Sequence, residues 1–252
     1  MRDAVESPGT VEKAIDVLFH LHAATSAQGV TAVGRDLGLP KSSAHRLLTS
    51  LSRRGLVERD SRGRYRPGIG LVALGLGALE REPVVVAARP VLEEAAAQLG
   101  ETFFLVAARA HRLVVLDKAE GNGFLRAAPQ IGAEVPAHAT AVGKLFLAFG
   151  GDAVPEPREP LEPFAPDTRV TLASLGEDIA QTRQRGFAEN REEWIPGLAV
   201  VAAPVFAGDR LLAAVAVAAP VGRYEALGGE SLARRAVAAG RRIAARIAGT
   251  GL

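Results

Sequence analysis

The 252-residue sequence contains no cysteine, and this absence removes several kinds of chemistry at once. Without a thiol the chain cannot form a disulfide, a thiolate nucleophile, a cysteine zinc site or an iron–sulfur cluster. Aromatic residues are also scarce, at 5% of the chain, whereas hydrophobic residues make up 48%. We therefore expect a core of closely packed small side chains, mostly Ala and Val, rather than large aromatic anchors.

Long hydrophobic runs are missing too. No uncharged apolar run reaches the roughly 18 residues that a membrane-spanning helix needs. The opening residues, Met1 to Glu6, lack the apolar core of a signal peptide. These absences predict a soluble protein of the cytoplasm with no membrane partner, and the length is sufficient for two domains.

Motifs for catalysis and metal binding are equally absent. Gly143-Lys144 lacks the earlier glycine of a phosphate loop, and no Gly-x-Ser-x-Gly elbow occurs. His20 and His22 are two residues apart on a predicted helix, so they do not share a face as metal ligands would. The sequence predicts no enzyme, no metal site and no cofactor.

Positive charge, by contrast, is concentrated in one block, although the formal net charge of the chain is only +2. Between Arg35 and Arg66 the three acids are Asp36, Glu58 and Asp60, and the nine basic residues are Arg35, Lys41, Arg46, Arg53, Arg54, Arg59, Arg62, Arg64 and Arg66. A polyanionic partner such as DNA is one explanation, and a solvated surface is the other. Charge alone does not decide between them.

Residue spacing in the first quarter of the chain predicts three helices and a basic hairpin. The helices would cover 10–24, a short stretch from Thr31 to Gly38, and 41–54, with Thr10 and Thr31 as caps. Two short strands, 56–59 and 63–67, would follow. The inward residues of the helices would be Val11, Ala14, Ile15, Leu18 and Leu21, then Val33 and Leu37, then Ala44, Leu47, Leu48 and Leu51. This pattern is typical of a winged helix-turn-helix domain, which we place at residues 8–67.

The third helix has the composition of a DNA-reading element. A recognition helix presents small polar and basic side chains from its first turns to the major groove. Arg46 could bond a guanine edge or a phosphate, and the wing arginines could reach the backbone or the minor groove. The predicted DNA-binding residues are Thr31, Lys41, Ser42, Ser43, His45, Arg46, Thr49, Arg62 and Arg64.

Residues 68–82 are predicted to form a linker helix that is apolar nearly all round. The segment carries Gly70, Gly75 and Gly77, each of which weakens a helix by about 1 kcal/mol relative to alanine but permits close backbone approach. Packing against a partner chain explains both features. An internal core helix is the alternative.

Residues 83–250, which begin at Pro83, are predicted to form a second domain of α+β class, with helices flanking an antiparallel sheet. The predicted helices cover 84–99, 140–149, 175–185 and 225–248, and the predicted strands cover 102–108, 113–119, 124–127, 198–206 and 211–218. The proline-rich segment 152–167 is expected to be a surface loop. Arginines on the outer face of the last helix are expected to be solvated.

Two segments of this domain are candidates for ligand binding, residues 132–144 and residues 185–198. Thr140 would cap a helix, so the free amides of Ala141, Val142 and Gly143 at its positive end would form an anion site. Alternatively, this capped helix start serves packing only. Trp194, the one tryptophan, is either packed in the core or part of a pocket wall.

The run Leu39-Pro-Lys-Ser-Ser-Ala-His-Arg-Leu-Leu48, together with the two later segments in order, resembles the IclR family of bacterial regulators. The resemblance extends from about Thr10 to about Ala248. It implies a winged helix-turn-helix joined to a GAF-like effector-binding domain, and a cytoplasmic repressor or activator that is a dimer or tetramer. It also implies double-stranded operator DNA and a small organic-acid effector as partners. The family carries a histidine at the position of His45, where a helix-stabilising or phosphate role is as plausible as base reading.

The resemblance also implies which residues surround the effector. Family members with small polar acids use the amides at Ala141 and Val142, a polar residue at Asn190, and polar side chains on the last two strands. Those strand positions are apolar here, which favours an aromatic or branched carboxylate, or a related hydrophobic metabolite, over a very small acid such as glyoxylate. The predicted effector-binding residues are Phe124, Ala127, Val135, Ala141, Val142, Gly143, Asn190, Trp194, Val200, Ala216 and Ala218. A regulator that binds no ligand and acts only through protein contacts is the alternative.

Overall fold

The structure is a computed structural model that describes residues 9–123 and 129–249. Its described residues fall into two compact units, one before Leu79 and one from Leu79 onward. This boundary lies inside the predicted linker segment, and the three domain ranges proposed above remain a prediction.

The first unit contains the predicted succession of helices and a hairpin. Its helices are α1 (Thr10–Ala23), α2 (Val30–Asp36), α3 (Lys41–Arg53) and α4 (Ile69–Glu80), the last of which crosses the boundary, and its strands are β1 (Val57–Arg59) and β2 (Tyr65–Pro67). The two strands pair antiparallel, with Arg59 opposite Tyr65. The backbone of Gln28 adds a bridge to Tyr65, with N···O distances of 2.7 and 2.8 Å. The expected helix-turn-helix with a wing is therefore confirmed.

The core of this unit joins all of these elements except α4. Its buried apolar residues are Val17, Leu21, Val33, Leu47, Leu48, Leu51, Val57 and Tyr65. Gly34 allows α2 to lie against the turn before α3, because a Cβ at that position would be 2.9 Å from the carbonyl oxygen of Leu39. The inward residues predicted for α3 are all buried.

The inward face predicted for α1 is partly wrong. Val11 is 73% exposed and Ile15 is 45% exposed, whereas Val17 is completely buried. The helix contacts α3 and β2 through the stripe that contains Val17 and Leu21. Val11 and Ile15 belong to a second apolar stripe that continues to Phe19, so the periodic signal came from two stripes rather than one.

Both threonine caps predicted for the first unit are also wrong. Gly9 precedes α1, and its N–H donates to the carboxylate of Glu12 at 2.6 Å. Gly29 precedes α2, so Thr31 lies inside the first helical turn, with its side chain exposed.

Helix α4 buries none of its residues in the described chain. Its large apolar side chains that are half or more exposed are Ile69, Val72, Leu74 and Leu76. Gly70 packs tightly on the backbone of Gly55, where a Cβ would be 2.8 Å from the carbonyl oxygen. Packing of this helix against a partner chain remains a prediction.

The second unit is built on an antiparallel sheet. Among the described residues its strands are β3 (Thr102–Arg109), β4 (Arg112–Ala119), β5 (Glu134–Val135), β6 (Ala188–Arg191), β7 (Leu198–Ala207) and β8 (Arg210–Pro220). Their order across the sheet is β5-β4-β3-β8-β7-β6. The pairing of β3 with β8 joins the two central hairpins, with Phe104 opposite Ala216.

Helices cover both faces of this sheet. Helices α5 (Pro83–Leu99) and α9 (Gly229–Gly249) pack on one face beside the short α8 (Val221–Leu227), and α6 (Ala141–Phe149) packs on the other face with α7 (Leu172–Arg185) beside it. Alternate residues of β3 separate the two cores: Phe103 belongs to the α5/α9 side and Phe104 to the α6 side. The α+β class is confirmed.

Several element boundaries in this unit differ from the prediction. Helix α7 begins three residues early because Thr171 caps it, with its Oγ1 accepting the N–H of Ser174 at 3.2 Å. The predicted last helix is two helices, α8 and α9, separated at Gly228, whose φ is +79°. Strands β5 and β6 were not predicted, since two and four residues are too few for a clear period. The strand predicted at 124–127 lies outside the described residues.

The loop and surface predictions can also be compared with the structure. After a short 3-10 turn at Gly151–Ala153, the proline-rich segment has no regular secondary structure before α7. The inner residues predicted for the last helix are buried, and its arginines are exposed. No helix within residues 9–123 and 129–249 is both long and apolar enough to span a membrane.

Candidate functional site

Helix α3 separates packing residues from exposed polar residues. Ala44, Leu47, Leu48 and Leu51 are buried on one side. On the other side the exposed side chains are Lys41, Ser42, His45 and Arg46, with Ser43 and Thr49 half-buried. The exposed set can contact a partner without disturbing the core.

The beginning of α3 is suited to an anion. The helix follows Pro40 and carries no acidic residue in its first turn. The first amide N–H groups have no intrahelical acceptor and lie at the positive end of the helix, so a phosphate could bind there. The hydroxyl of Thr49 donates to the carbonyl of His45 at 2.8 Å, so its proton is used within the helix.

The wing is the hairpin of β1 and β2 with the turn between them, and the carboxylate of Asp60 accepts the hydrogen bonds that hold this turn. This carboxylate accepts the backbone N–H of Arg64 at 2.8 Å and that of Arg62 at 2.9 Å, and the Arg64 guanidinium at 3.0 Å. The backbone hydrogen bond from Arg64 is the main cause that holds the pKa of Asp60 below its usual value. Arg64 is therefore engaged in the turn, whereas the exposed Arg62 has no ion-pair partner among the described residues.

Ion pairs neutralise the three acids of the basic block. Asp36 pairs with Arg35 at 2.8 Å, Glu58 with Arg66 at 3.1 Å, and Asp60 with Arg64. Within the described residues, the basic side chains of the block that have no acidic partner are Lys41, Arg46, Arg53, Arg54, Arg59 and Arg62. Arg53, Arg54 and Arg59 were absent from the predicted contacts, and the charge block itself was the signal that could have included them.

The second unit contains a cavity of about 440 Å³ between the sheet and the beginning of α6. Its lining is mostly apolar. The lining residues are Phe104, Val115, Pro129, Gln130, Ala133, Val135, Thr140, Val142, Asn190, Trp194, Ile195, Pro196, Gly197, Leu198, Val200, Ala218 and Pro220. Such a volume accommodates a small organic molecule.

The beginning of α6 borders this cavity but differs from the prediction at Gly143. Thr140 Oγ1 accepts the N–H of Gly143 at 3.0 Å, so that amide is not free. Gly143 serves close packing instead, since a Cβ there would be 2.0 Å from the carbonyl oxygen of Ala137. The amides of Ala141 and Val142 have no intrahelical acceptor, and Val142 lines the cavity.

Asn190 lies at the same end of the cavity, on β6 opposite Val200. Its Nδ2 donates to the carbonyl oxygen of Ala139 at 3.2 Å, which sets the orientation of the amide. Its Oδ1 is buried and has no hydrogen-bond partner among the described residues.

The predicted pocket residues are only partly brought together. Val135, Val142, Asn190, Trp194, Val200 and Ala218 line the cavity. Ala141 and Ala216 are completely buried and are not among the lining residues. Phe124 and Ala127 lie outside the described residues. Phe104 and Val115 were missed, although alternation along β3 places Phe104 on the α6 side.

A buried cluster of charges lies beside this cavity and was not predicted. Lys144 on α6 is 2% exposed, and its Nζ is 2.6 Å from both Asp178 Oδ2 and Glu193 Oε1. Arg169 also bonds Asp178, at 3.0 Å. These four residues line a separate polar cavity of about 380 Å³. They are far apart in sequence, so no spacing could have revealed them.

The two acids of the cluster respond differently to burial. Burial raises the pKa of Glu193 above its usual value and outweighs the opposing effect of Lys144. Burial would also raise the pKa of Asp178, but the bonds and charges of Lys144 and Arg169 together hold that pKa below its usual value. Trp194, which lines the apolar cavity, directly follows Glu193 in the chain. The ion pairs of Glu193 and Asp178 with Lys144 therefore link this wall of the cavity to α6 and α7.

Comparison with known proteins identifies the class to which these two units belong. The model of the IclR helix-turn-helix domain matches residues 10–61, and the model of the bacterial transcriptional regulator IclR C-terminal domain matches residues 76–245. The second match alone covers more than half of the chain. The chain therefore belongs to the IclR family of bacterial transcriptional regulators, which confirms the resemblance seen in the sequence.

Individual relatives agree with this assignment. The chain is 30% identical over 223 residues to the HTH-type transcriptional regulator XynR of Escherichia coli, covering 86% of this chain and 88% of XynR. It is 28% identical over 221 residues to the transcriptional repressor IclR of the same organism, covering 85% and 81% of the two chains. These relatives are regulators, and the chain is a regulator rather than an enzyme.

A solved structure shares the fold. An IclR homologue from Microbacterium hydrocarbonoxydans, in complex with 4-hydroxybenzoate, superposes with a TM-score of 0.83 at 20% identity. The similarity covers 96% of this chain and 100% of the other.

Proposed function

We propose that this regulator binds operator DNA through α3 and the wing, and that a small organic acid in the cavity of the second unit alters that binding. The observation that carries the DNA part is the division of α3 into a buried apolar side and an exposed side with Lys41, His45 and Arg46. The predicted DNA-binding residues are the proposed contacts. On the wing, Arg62 has no acidic partner among the described residues.

The observation that carries the effector part is an apolar cavity that opens onto the beginning of a helix. Val200 and Ala218 in its wall are apolar, so the site suits a larger apolar body rather than a two-carbon acid. An aromatic or branched carboxylate fits this lining. The 4-hydroxybenzoate complex of the structural neighbour supports an aromatic acid as the first ligand to test.

Thermal unfolding of the full chain tests the effector proposal. A ligand that binds only the folded protein raises the transition temperature by mass action. We expect benzoate-type acids to raise it and glyoxylate to have no comparable effect. Stabilisation by the two-carbon acid alone would contradict the proposed ligand class, and no stabilisation by any acid would favour a regulator that acts only through protein contacts.

We further propose that the protein is a cytoplasmic homodimer or homotetramer that reads two operator half-sites. The exposed apolar side chains of α4 and the stripe of Val11, Ile15 and Phe19 on α1 support an association of copies. Sedimentation equilibrium measures the assembly directly, and a monomer at micromolar concentration would contradict it.

A further inference from the structure

The polar cavity of about 380 Å³, whose wall includes Lys144, Asp178 and Glu193, is a second candidate site in the unit from Leu79 onward. It is separate from the apolar cavity proposed for the effector, although Asn190 lines both cavities. Its volume is sufficient for a small organic molecule. The proposed function assigns no role to it.

The charges in the wall of the polar cavity balance one another. Among the described residues the wall has four basic and four acidic side chains. Lys144 Nζ lies 2.6 Å from both Asp178 Oδ2 and Glu193 Oε1, and Arg169 bonds Asp178 at 3.0 Å. A charged ligand would lose its hydration beside these matched charges without gaining a free buried counter-charge. The wall therefore favours a ligand that is polar but uncharged.

The outer part of this wall is also neutralised. Arg185 lies 4.0 Å from Glu189, and Arg191 pairs with Glu225 at 2.8 Å. Asp167 is exposed to solvent. Within residues 9–123 and 129–249, each arginine of the wall thus has an acidic partner, so an anion would have to compete for it.

Two buried acceptors in this wall lack a donor. Glu193 is 5% exposed, and its Oε1 accepts from Lys144 while its Oε2 has no hydrogen-bond partner among the described residues. Asn190 is also 5% exposed, and its Oδ1 has no such partner either, whereas its Nδ2 donates to Ala139. Buried polar groups are almost always bonded, so two unpartnered acceptors in one cavity wall indicate a missing donor. A hydroxyl group can supply that donor and a carboxylate cannot.

The other side chains of the wall suit a molecule with several hydroxyl groups. Gln181 contributes an amide, and amides, carboxylates and guanidinium groups can all bond hydroxyls, which both donate and accept. Phe187 is half-buried and is the one aromatic residue among the described residues of this wall. Its ring provides an apolar surface for the C–H groups of a sugar or cyclic polyol.

We infer that the polar cavity is a second ligand site, which binds an uncharged polyhydroxylated molecule such as a monosaccharide or a cyclic polyol. Hydroxyl groups of this ligand donate to Glu193 and Asn190 and bond Gln181, and one face of its ring lies on Phe187. The inference goes beyond the proposed effector, whose site is the apolar cavity. Because Asn190 lines both cavities, the second ligand would contact a residue of the effector site.

A nuclear magnetic resonance titration of the full chain tests the ligand class. The neutral probes are D-glucose, D-galactose, D-xylose and myo-inositol, and the charged probes of similar shape are D-glucuronate, D-galacturonate, D-glucosamine and D-galactosamine. We expect at least one neutral probe to bind with a Kd of about 10 mM or tighter, and the charged probes to bind about tenfold more weakly than it, because an unmatched charge is costly to bury.

A matched pair of glutamine variants locates the bound probe. Gln181 lines the polar cavity and Gln130 lines the apolar cavity, and both side chains are exposed, so alanine should be tolerated at either position. Gln181→Ala should weaken the binding of the neutral probe at least about threefold, since a hydrogen bond is lost. Gln130→Ala should leave it unchanged.

Each contrary outcome overturns a stated part of the inference. Failure of all four neutral probes to bind would leave the two acceptors to water and remove the site. A charged probe that binds as tightly as the best neutral probe would contradict the argument from balanced charge. A loss in Gln181→Ala no greater than that in Gln130→Ala would place the probe outside the polar cavity. None of these outcomes bears on the proposed function, which the response to aromatic and branched acids tests separately.

Discussion

At the residue scale, Lys144 shows how one buried charge holds several elements together. Its ammonium bonds Asp178 on α7 and Glu193 in the segment before β7. Removing one member of a buried ion pair leaves the others without compensation, which typically costs about 3–5 kcal/mol. Lys144→Met should therefore lower the free energy of unfolding by about this amount, as measured by urea denaturation.

The control for Lys144 is Lys118→Met. Lys118 pairs with Glu120 nearer the surface, and its side chain is partly exposed. An exposed pair contributes about 0–1 kcal/mol. Similar losses for the two variants would show that the buried cluster has no special role.

Glu193 gives the cluster a pH dependence whose sign can be worked out. Burial raises its pKa above the usual value of 4.5. The folded protein therefore favours the protonated form of Glu193. The resulting contribution to the free energy of unfolding is complete below pH 4.5 and is lost as the pH rises through the folded pKa. Glu193→Gln removes the titration, so its stability relative to the unaltered protein should increase as the pH rises above 4.5, as measured by denaturation across pH. A relative stability that falls instead would mean that attraction to Lys144 outweighs burial.

Arg46 is the single residue whose replacement tests the proposed DNA contact of α3. It is exposed on the polar side of α3, without an acidic partner among the described residues. Arg46→Ala should weaken operator binding by about 1–3 kcal/mol in a gel shift. Arg235→Ala, at an exposed arginine of α9, should have no such effect. Equal affinities for both variants would remove Arg46 from the interface.

At the element scale, the beginning of α6 depends on a glycine. A Cβ at Gly143 would be 2.0 Å from the carbonyl oxygen of Ala137, and this backbone atom cannot move independently. Gly143→Ala should therefore destabilise the protein by about 1–3 kcal/mol in thermal or urea unfolding.

Gly176 is the matched control for this prediction. It lies exposed within α7, and nothing is within 4 Å of its Cβ position. Gly176→Ala should stabilise the protein by up to about 1 kcal/mol, because alanine favours a helix. A neutral Gly143→Ala would show that α6 can shift, and would weaken the account of the cavity wall.

The elements also show which parts of the fold a sequence can predict. The apolar spacing of α3 is regular and the apolar runs of β7 and β8 are long and nearly continuous, so these elements were predicted correctly. Strand β6 has four residues and ends in polar side chains, a pattern that predicts a loop rather than a strand. The amide of Gly143 was predicted to be free because the sequence indicates a cap at Thr140 but not which N–H the cap receives.

At the scale of the whole molecule, the proposed DNA contacts and the proposed effector cavity lie in different compact units, so the proposed regulation requires a coupling between two sites. Ligand binding must favour one arrangement of the chain over another for operator affinity to change, and such coupling is typically worth about 1–3 kcal/mol.

The cavity and the charge cluster show what a sequence cannot predict at this scale. Cavity residues such as Phe104 and Asn190 come from distant strands, so only some of the lining residues were predicted from the sequence. The Lys144 cluster depends entirely on tertiary folding.

The measurement that tests this account most directly is a gel shift on the DNA upstream of the gene, across a salt series, with and without a panel of aromatic and branched carboxylates. Each phosphate contact steepens the salt dependence of binding. We predict binding at low salt that weakens steeply as salt is raised, and an affinity that at least one of these acids changes by about fivefold or more. Absence of DNA binding at low salt would contradict the central claim, and binding that no acid alters would leave a DNA-binding protein without the proposed effector control.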